Sequence, residues 1–571
     1  MASFYKEFEY VLDPKLLEEK FIGLLQSELE TVHDIELWLF EQSCLLEEVY
    51  ETTIGHKIEF YLDTTNQNKK QQMNFDETNI IPLLKKYSNL LDTRLIQHPL
   101  HNQLNKDLYG IYIKRKENSI LIFQEENIDL EKEINSLLTL YLEKINTIKV
   151  LWNDEEKPVF QLQRLLESEN RTIREQVWNA IQNAQLSVKE ELEEIFQSMF
   201  DLRIKLASIS GYETYTDYAF HILERFDYNS DYCITLAENI RKYVVPLKRN
   251  LDKSNKEKLK LVTYKPWDLS APISNNQPNY PFTTSHELIE KGINVFKHID
   301  TSLVDMFNHM KQNNYFDMDP REGKSPGAYC LPMLRSKHSF IVMNHTNHFS
   351  NIRTFIHEIG HCYHNYVMKD LPLSLYREPT MEIAEFASMT MEYLTLDFWY
   401  EFYPNKEDFR LAKKMQLEGF ISYLPSGIVV DLFQHWLYAH PTHSILDRNN
   451  KFIELSKQFY ADSIDYEGFE ETLPNRYRQM RHIFETPFYS IEYIIANIAA
   501  VEMYRQFKLD KEGTISRFKK ALSLGSSVSM TDIYNTAGVS LQISEEQFKD
   551  IVMFVQEQLA ELNDDVEKVQ I

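Results

Sequence analysis

The chain has 571 residues, and its 61 Lys and Arg against 86 Asp and Glu leave a formal net charge of −25. Charge of that sign repels phosphate backbones and anionic lipid, so neither nucleic acid nor membrane is an expected partner. With only 14 Gly, frequent tight turns between strands are excluded, and the fold class expected is mainly α.

In chain order, the opening Met1–Glu7 shows no basic patch followed by an apolar run, so no secretory leader is expected. No stretch approaches the ~20 apolar residues that span a bilayer. The four cysteines (Cys44, Cys233, Cys330, Cys362) are scattered without a C-x-x-C pair, as reduced thiols would be. A cytoplasmic location is therefore expected. Apolar spacing predicts helices over 14–50, 80–95 and 128–148. Residues 110–123 carry two β-branched and aromatic runs around a polar stretch, and read as a short hairpin or an interruption. None of this amino-terminal part holds a chemical constellation.

A long helical stretch is predicted over 167–207, broken at Gly211. The aromatic run from Tyr212 to Tyr228 reads as core packing. Residues 271–285, rich in Pro and Asn, read as a loop, with Lys265-Pro266-Trp267-Asp268 as its anchor. Residues 329–334 and 339–344 are the best strand candidates, and the short polar Arg335–His338 suits a hairpin turn.

His357-Glu358-Ile359-Gly360-His361 reads H-E-x-x-H within a helical pattern over 349–369. Residues four apart share a helix face, so His357 and His361 can offer two imidazole nitrogens to one point. That suits Zn²⁺, with Glu358 placed to act as general base toward a water. The plain alternative is a charged, solvated helix face. The flanking Phe355, Ile356, Ile359 and Cys362 argue instead for burial, where such groups need partners. A third ligand is required. Glu382, Glu385 and Glu392 share a face of the next helix, which has Pro379 near its start, and Glu385 is the middle candidate. His364, about one turn beyond His361, is the rival, and spacing does not separate them.

Ser422–Gly427 reads as a helix stop. A new helix is predicted over 428–440, where Asp431, Gln434, His435 and Tyr438 are read as making internal hydrogen bonds, with support of the site's ligands from behind as the alternative. Thr486-Pro487 is expected to begin another helix, with Thr as cap and Pro first. Tyr489 and Tyr493 then stand one turn apart, as interhelical packing or as donors.

These residues resemble the oligoendopeptidase F and thimet oligopeptidase family of zinc metallopeptidases. Beyond the zinc motif, Lys324-Ser325-Pro326-Gly327-Ala328-Tyr329-Cys330 looks like the family's G-K-x-P-G-A-Y-C segment. Ser339–Asn344 looks like the strand before its zinc helix, and Ala384-Glu385-Phe386-Ala387-Ser388 like its A-E-x-A-S. His482 followed by Pro487-Phe488-Tyr489-Ser490-Ile491-Glu492-Tyr493 looks like its H…P-F-Y-x-I-x-Y. The order and spacing agree over about Leu165 to Ala500. Two positions depart from the pattern: Asn347 stands where the family usually has Gly, and Asn351 where it usually has Asp.

The resemblance implies two helical lobes around a deep substrate channel, with a small sheet next to the zinc helix. Residues 1–160 would form a helical lid domain and 161–571 the catalytic domain. His357, His361 and Glu385 would hold one Zn²⁺ per chain. Glu358 would be the general base, and His482, Tyr489 and Tyr493 would stabilise the oxyanion. Glu392 and His364 would support the ligands from behind. Gly327, Ala328, Tyr329, Phe340, Val342 and Asn344 are expected to bind substrate. Strand 340–344 would offer its edge to an extended peptide, Gly327 would allow close approach, and the alternative is a buried supporting hairpin. The expected activity is endopeptidase hydrolysis of short peptides by a monomer or weak homo-oligomer. The runners-up are a helical zinc carboxypeptidase or dipeptidase, and a non-catalytic peptide-binding protein.

Overall fold

A computed structural model describes residues 12–273 and 281–569; Met1–Glu7 and the middle of the 271–285 loop lie outside the described residues. The fold is mainly α, 72% helical with small sheets only. No helix among the described residues is long and apolar enough to cross a membrane. Two compact units form, each from three chain segments. The first comprises Met1–Leu121, Pro278–Lys413 and Ile495–Ile543, and the second Ile122–Gln277, Lys414–Ile494 and Ser544–Ile571.

Local chemistry sets the helix ends. Pro14 opens helix Pro14–Gln26, where Asp13 accepts from the Lys15 N–H, and Thr31 and Asp34 close a capping box on helix Val32–Leu62. Phe21, Ile35, Trp38 and Leu39 of these helices bury in one cluster with Leu91 of helix Ile81–Gln97 in the first unit. In the second unit, strands β1 (Lys149–Trp152) and β2 (Glu155–Pro158) pair antiparallel, and Val150 packs with Leu162, Val177 and Ile181.

Four sequence expectations are corrected. Residues 110–123 are not a hairpin but belong to helix Lys106–Ile122. Tyr112 and Lys116, one turn apart, are both buried, and Lys116 Nζ meets Asp92 Oδ1 at 2.9 Å; this tertiary pairing overrides the β-propensity of the flanking runs. The 167–207 stretch is two helices, Arg171–Leu186 and Lys189–Ile209. Ser422–Gly427 does not stop a helix. Helix Lys406–Ala439 runs through Pro425, which removes one N–H donor, and Ser426 Oγ donates to the Tyr423 carbonyl at 2.9 Å in that turn. The helix expected at Pro487 begins at Ser490.

The sheet of the first unit has order β3 (Phe316–Asp317), β5 (His338–Met343), β4 (Ala328–Met333). β4 and β5 form the predicted hairpin, with Tyr329 opposite Val342 and Cys330 opposite Ile341. β3 pairs parallel to β5 on its other side. β5 is thus the central strand, and among the described residues β4 has no strand on its other side, which leaves it a free edge.

Candidate metal centre and substrate edge

Helix Phe349–Met368 carries the H-E-x-x-H motif. Its entering turn accommodates both departures from the family pattern. Asn347 takes φ +61°, a left-handed conformation that Asn tolerates better than most residues. Asn351 Oδ1 accepts from the Thr346 N–H at 2.8 Å and the His348 N–H at 3.1 Å, which fixes the start of the helix. Ile352, Phe355, Ile356 and Ile359 are fully buried and anchor one face, while His357 and His361 each keep 18% side-chain exposure.

Helix Met381–Thr395 packs against this one. A Cβ on Gly360 would lie 2.5 Å from Ser388 Cα, so the two backbones approach where only glycine fits. The approach delivers Glu385. Its Oε2 lies 3.2 Å from His357 Nε2 and 4.0 Å from His361 Nε2, and the three donors all fall within 4.8 Å of one another. Ligand atoms around one tetrahedral zinc stand ~3.3 Å apart, so this nitrogen and oxygen set fits a divalent ion. His357 Nδ1 is 2.8 Å from Glu392 Oε1, which directs the other ring nitrogen toward Glu385. Ser388 Oγ donates to Glu385 Oε2 at 3.1 Å. His364 is buried outside the cluster; burial and the neighbouring His361 push its pKa down to about 3.

The carboxylates are driven apart electrostatically. Burial would raise Glu385, but His357 beside it outweighs this and holds the carboxyl down to about 2. Burial pushes Glu358 up to about 7, with His357 pulling the other way. Burial lowers His361 to about 4, against the pull of Glu385. Burial also acts to lower His357, yet Glu385 and then Glu392 keep it well above the usual imidazole value.

Glu358 meets the sheet. The Cys330 N–H donates to its carboxylate. Cys330 stands opposite Ile341, whose own N–H turns the other way, to the Tyr315 carbonyl at 2.9 Å. The Cys330 N–H therefore points out of the free edge of β4, and Glu358 lies on that edge. Gly327 enters β4 at φ +98°, where a Cβ would meet Tyr329 Oη at 2.8 Å. Tyr329 Oη donates to the Pro326 carbonyl, and Asn344 Nδ2 to the Ser325 carbonyl.

The expected edge at 340–344 is therefore corrected. Phe340 and Val342 are buried in a strand paired on both sides and have no free backbone groups for a ligand. Gly327, Ala328 and Tyr329 lead onto the edge that is free.

A family profile described as Peptidase family M3 matches residues 164–552. The chain belongs to peptidase family M3. It is 22% identical over 564 residues to an oligoendopeptidase F homolog of Mycoplasma genitalium, covering 88% of each chain. To oligopeptidase PepF of Bacillus subtilis it is 21% identical, covering 71% of this chain and 59% of that one. Among solved structures, PZ peptidase A with an inhibitor superposes with a TM-score of 0.90 at 22% identity, covering 98% of this chain and 99% of that one. Oligoendopeptidase-F of Enterococcus faecium gives a TM-score of 0.67 at 14% identity, with 97% and 98% covered.

In the second unit of this M3 peptidase, the rings of His482 and Tyr489 stack at 4.9 Å, and Tyr493 meets Tyr489 edge-on at 4.9 Å. The preceding Phe488 adopts φ +67°, which accounts for the late helix start. Its N–H donates to Gln434 Oε1 at 2.9 Å, and its carbonyl accepts from Arg225 at 2.7 Å. Arg225 also pairs with Glu492 at 2.7 Å, both fully buried. The internal hydrogen bonding expected of Gln434 is found, whereas the roles of Gly360 and Arg225 were missed in the sequence. A glycine inside an H-E-x-x-H helix was a usable signal for Gly360; no local pattern marks Arg225.

Proposed function

We propose that this M3 peptidase is a zinc-dependent endopeptidase of short oligopeptides. The observation that carries the reading is the convergence of His357, His361 and Glu385 within 4.8 Å, beside a buried Glu358 on a free sheet edge. In this proposal His357, His361 and Glu385 hold one Zn²⁺, which when bound supplies Lewis acidity toward the scissile carbonyl. Glu392 holds the His357 ring in the ligating orientation. Glu358 takes a proton from the attacking water and returns one to the leaving amine.

An extended peptide pairs along β4, from Ala328 toward Cys330, and so passes Glu358. Pairing on both sides of a scissile bond favours internal cleavage over trimming of ends. His482, Tyr489 and Tyr493 serve as donors to the oxyanion, where loss of one donor typically costs about 100–1000-fold in rate. Residues 1–160 act as a lid that limits substrates to short, unfolded chains, and the site of action is the cytoplasm.

Internally quenched peptides of increasing length, blocked at both ends, test the activity. Cleavage of blocked peptides supports the reading. Turnover only of peptides with a free carboxyl or amino end overturns it in favour of a carboxypeptidase or dipeptidase. Binding without turnover would indicate a non-catalytic peptide receptor.

A further inference from the structure

The second unit contains another converging set of donors. Cys233 lies on helix Ser230–Tyr243, and Asp431 and His435 lie one turn apart on helix Lys406–Ala439. One ligand atom from each falls within 4.8 Å of the others. His435 Nε2 is 3.2 Å from Asp431 Oδ2, the same spacing as His357 to Glu385 in the first unit. Cys233 and Asp431 are both 0% exposed.

The sequence reading assigned Asp431 to internal hydrogen bonding. Its neighbour Gln434 does make such bonds, to Phe488 and the Val430 carbonyl. Asp431 does not: both carboxylate oxygens are buried without a hydrogen-bond partner, and so is His435 Nε2. Burying an unanswered carboxylate is strongly unfavourable. A protonated His435 would answer one oxygen through its Nε2 and leave the other bare.

We infer that Cys233, Asp431 and His435 form a second divalent-metal site, suited to zinc. A thiolate, a carboxylate and a neutral imidazole sum to two negative charges, which a divalent ion cancels in the buried setting. Sulfur with nitrogen and oxygen selects zinc or cobalt over magnesium or calcium. Binding releases the Cys233 thiol proton to solvent. The ion would clip helix Ser230–Tyr243 to helix Lys406–Ala439. The His435 ring lies 5.1 Å from that of Phe488, so the clip also stiffens the support under the left-handed turn before Tyr489. Its role is structural, and the inference does not depend on the catalytic reading.

Metal analysis of the full-length chain, produced in zinc- or cobalt-supplemented medium, tests this. Wild type should carry two equivalents, with one left in His361→Ala and one in Cys233→Ala. The cobalt-loaded chain should show a near-ultraviolet thiolate-to-cobalt charge-transfer band in wild type and in His361→Ala, absent from Cys233→Ala. The band distinguishes this site from one built of two histidines and a glutamate. If Cys233→Ala does not fold, Asp431→Asn should show the same lost equivalent. A wild type that lacks the charge-transfer band, or a band that survives in folded Cys233→Ala, would overturn the assignment, whatever the metal content of the first unit.

Discussion

Gly360 and Ser388 lie backbone against backbone, so close that a single methyl on Gly360 would stand 2.5 Å from the Ser388 Cα. The distance from the imidazoles to Glu385 is set by this helix contact as much as by the motif itself. Alanine is the better helix former by ~1 kcal/mol, so propensity alone favours Gly360→Ala. The clash opposes it, and overpacking of this kind costs ~1–3 kcal/mol. Gly360→Ala should therefore lower the melting temperature and reduce bound metal, as read by thermal unfolding and metal analysis. A variant of wild-type stability with full metal content would show that the helices part without consequence.

Substitutions around the metal centre should separate ligands from base. Glu358→Gln should retain metal and lose at least ~100-fold in kcat. Glu385→Ala should lower metal content, whereas His364→Ala should leave it intact while losing stability, because it empties a buried position. Glu392→Gln should weaken metal affinity by ~10–100-fold. Chelation should lower the melting temperature of wild type, since a ligand at 100 times its Kd contributes ~2.7 kcal/mol. Metal loss in His364→Ala with none in Glu385→Ala would reverse the ligand assignment.

Proline can probe the sheet edge. Ala328 shares the outward direction of Cys330, two residues on, and begins β4, a position where proline is tolerated. Ala328→Pro should keep the melting temperature near wild type but lose one backbone donor to substrate. That bond is worth ~1 kcal/mol, or about fivefold in kcat/KM. Val342→Pro, in the doubly paired strand, should destabilise the fold outright. Equal kinetics in Ala328→Pro would remove β4 as the substrate edge.

The turn into the motif helix can be tested at Asn347, held at φ +61°. Asn347→Ala should cost up to ~1 kcal/mol, because alanine keeps the Cβ that crowds the following carbonyl but lacks the short polar side chain that lets asparagine tolerate this region. Asn347→Gly should be close to neutral. Urea titration of the two variants reads the difference, and equal midpoints would show that the turn relaxes.

The candidate metal centre was legible in part: helical spacing sets His357 and His361 one turn apart, but it left Glu385 and His364 as rivals, and only the family resemblance pointed to Glu385. The hairpin was legible as well, but its edge was not. Which strand is central depends on Phe316–Asp317, a pairing of two residues with no pattern of its own. Residues 106–122 misled because Lys116 finds Asp92 only in three dimensions, and Pro425 misled because a helix of 34 residues is held by its packing through one missing bond. The unanswered carboxylate of Asp431 had no signature at all; it looks like any polar residue on a helix until its surroundings are known.

The interleaving of the two units bears on how the chain is made. Helix Lys511–Ser523 packs on the motif helix, and the Tyr376 carbonyl accepts from the Ser526 N–H at 2.7 Å. A ribosome emits the H-E-x-x-H segment well before these partners exist. The apolar side of that helix must then wait in the growing polypeptide, exposed to aggregation and to holdase chaperones. Truncations that end before about residue 543 should yield no competent centre, however complete the H-E-x-x-H motif they contain.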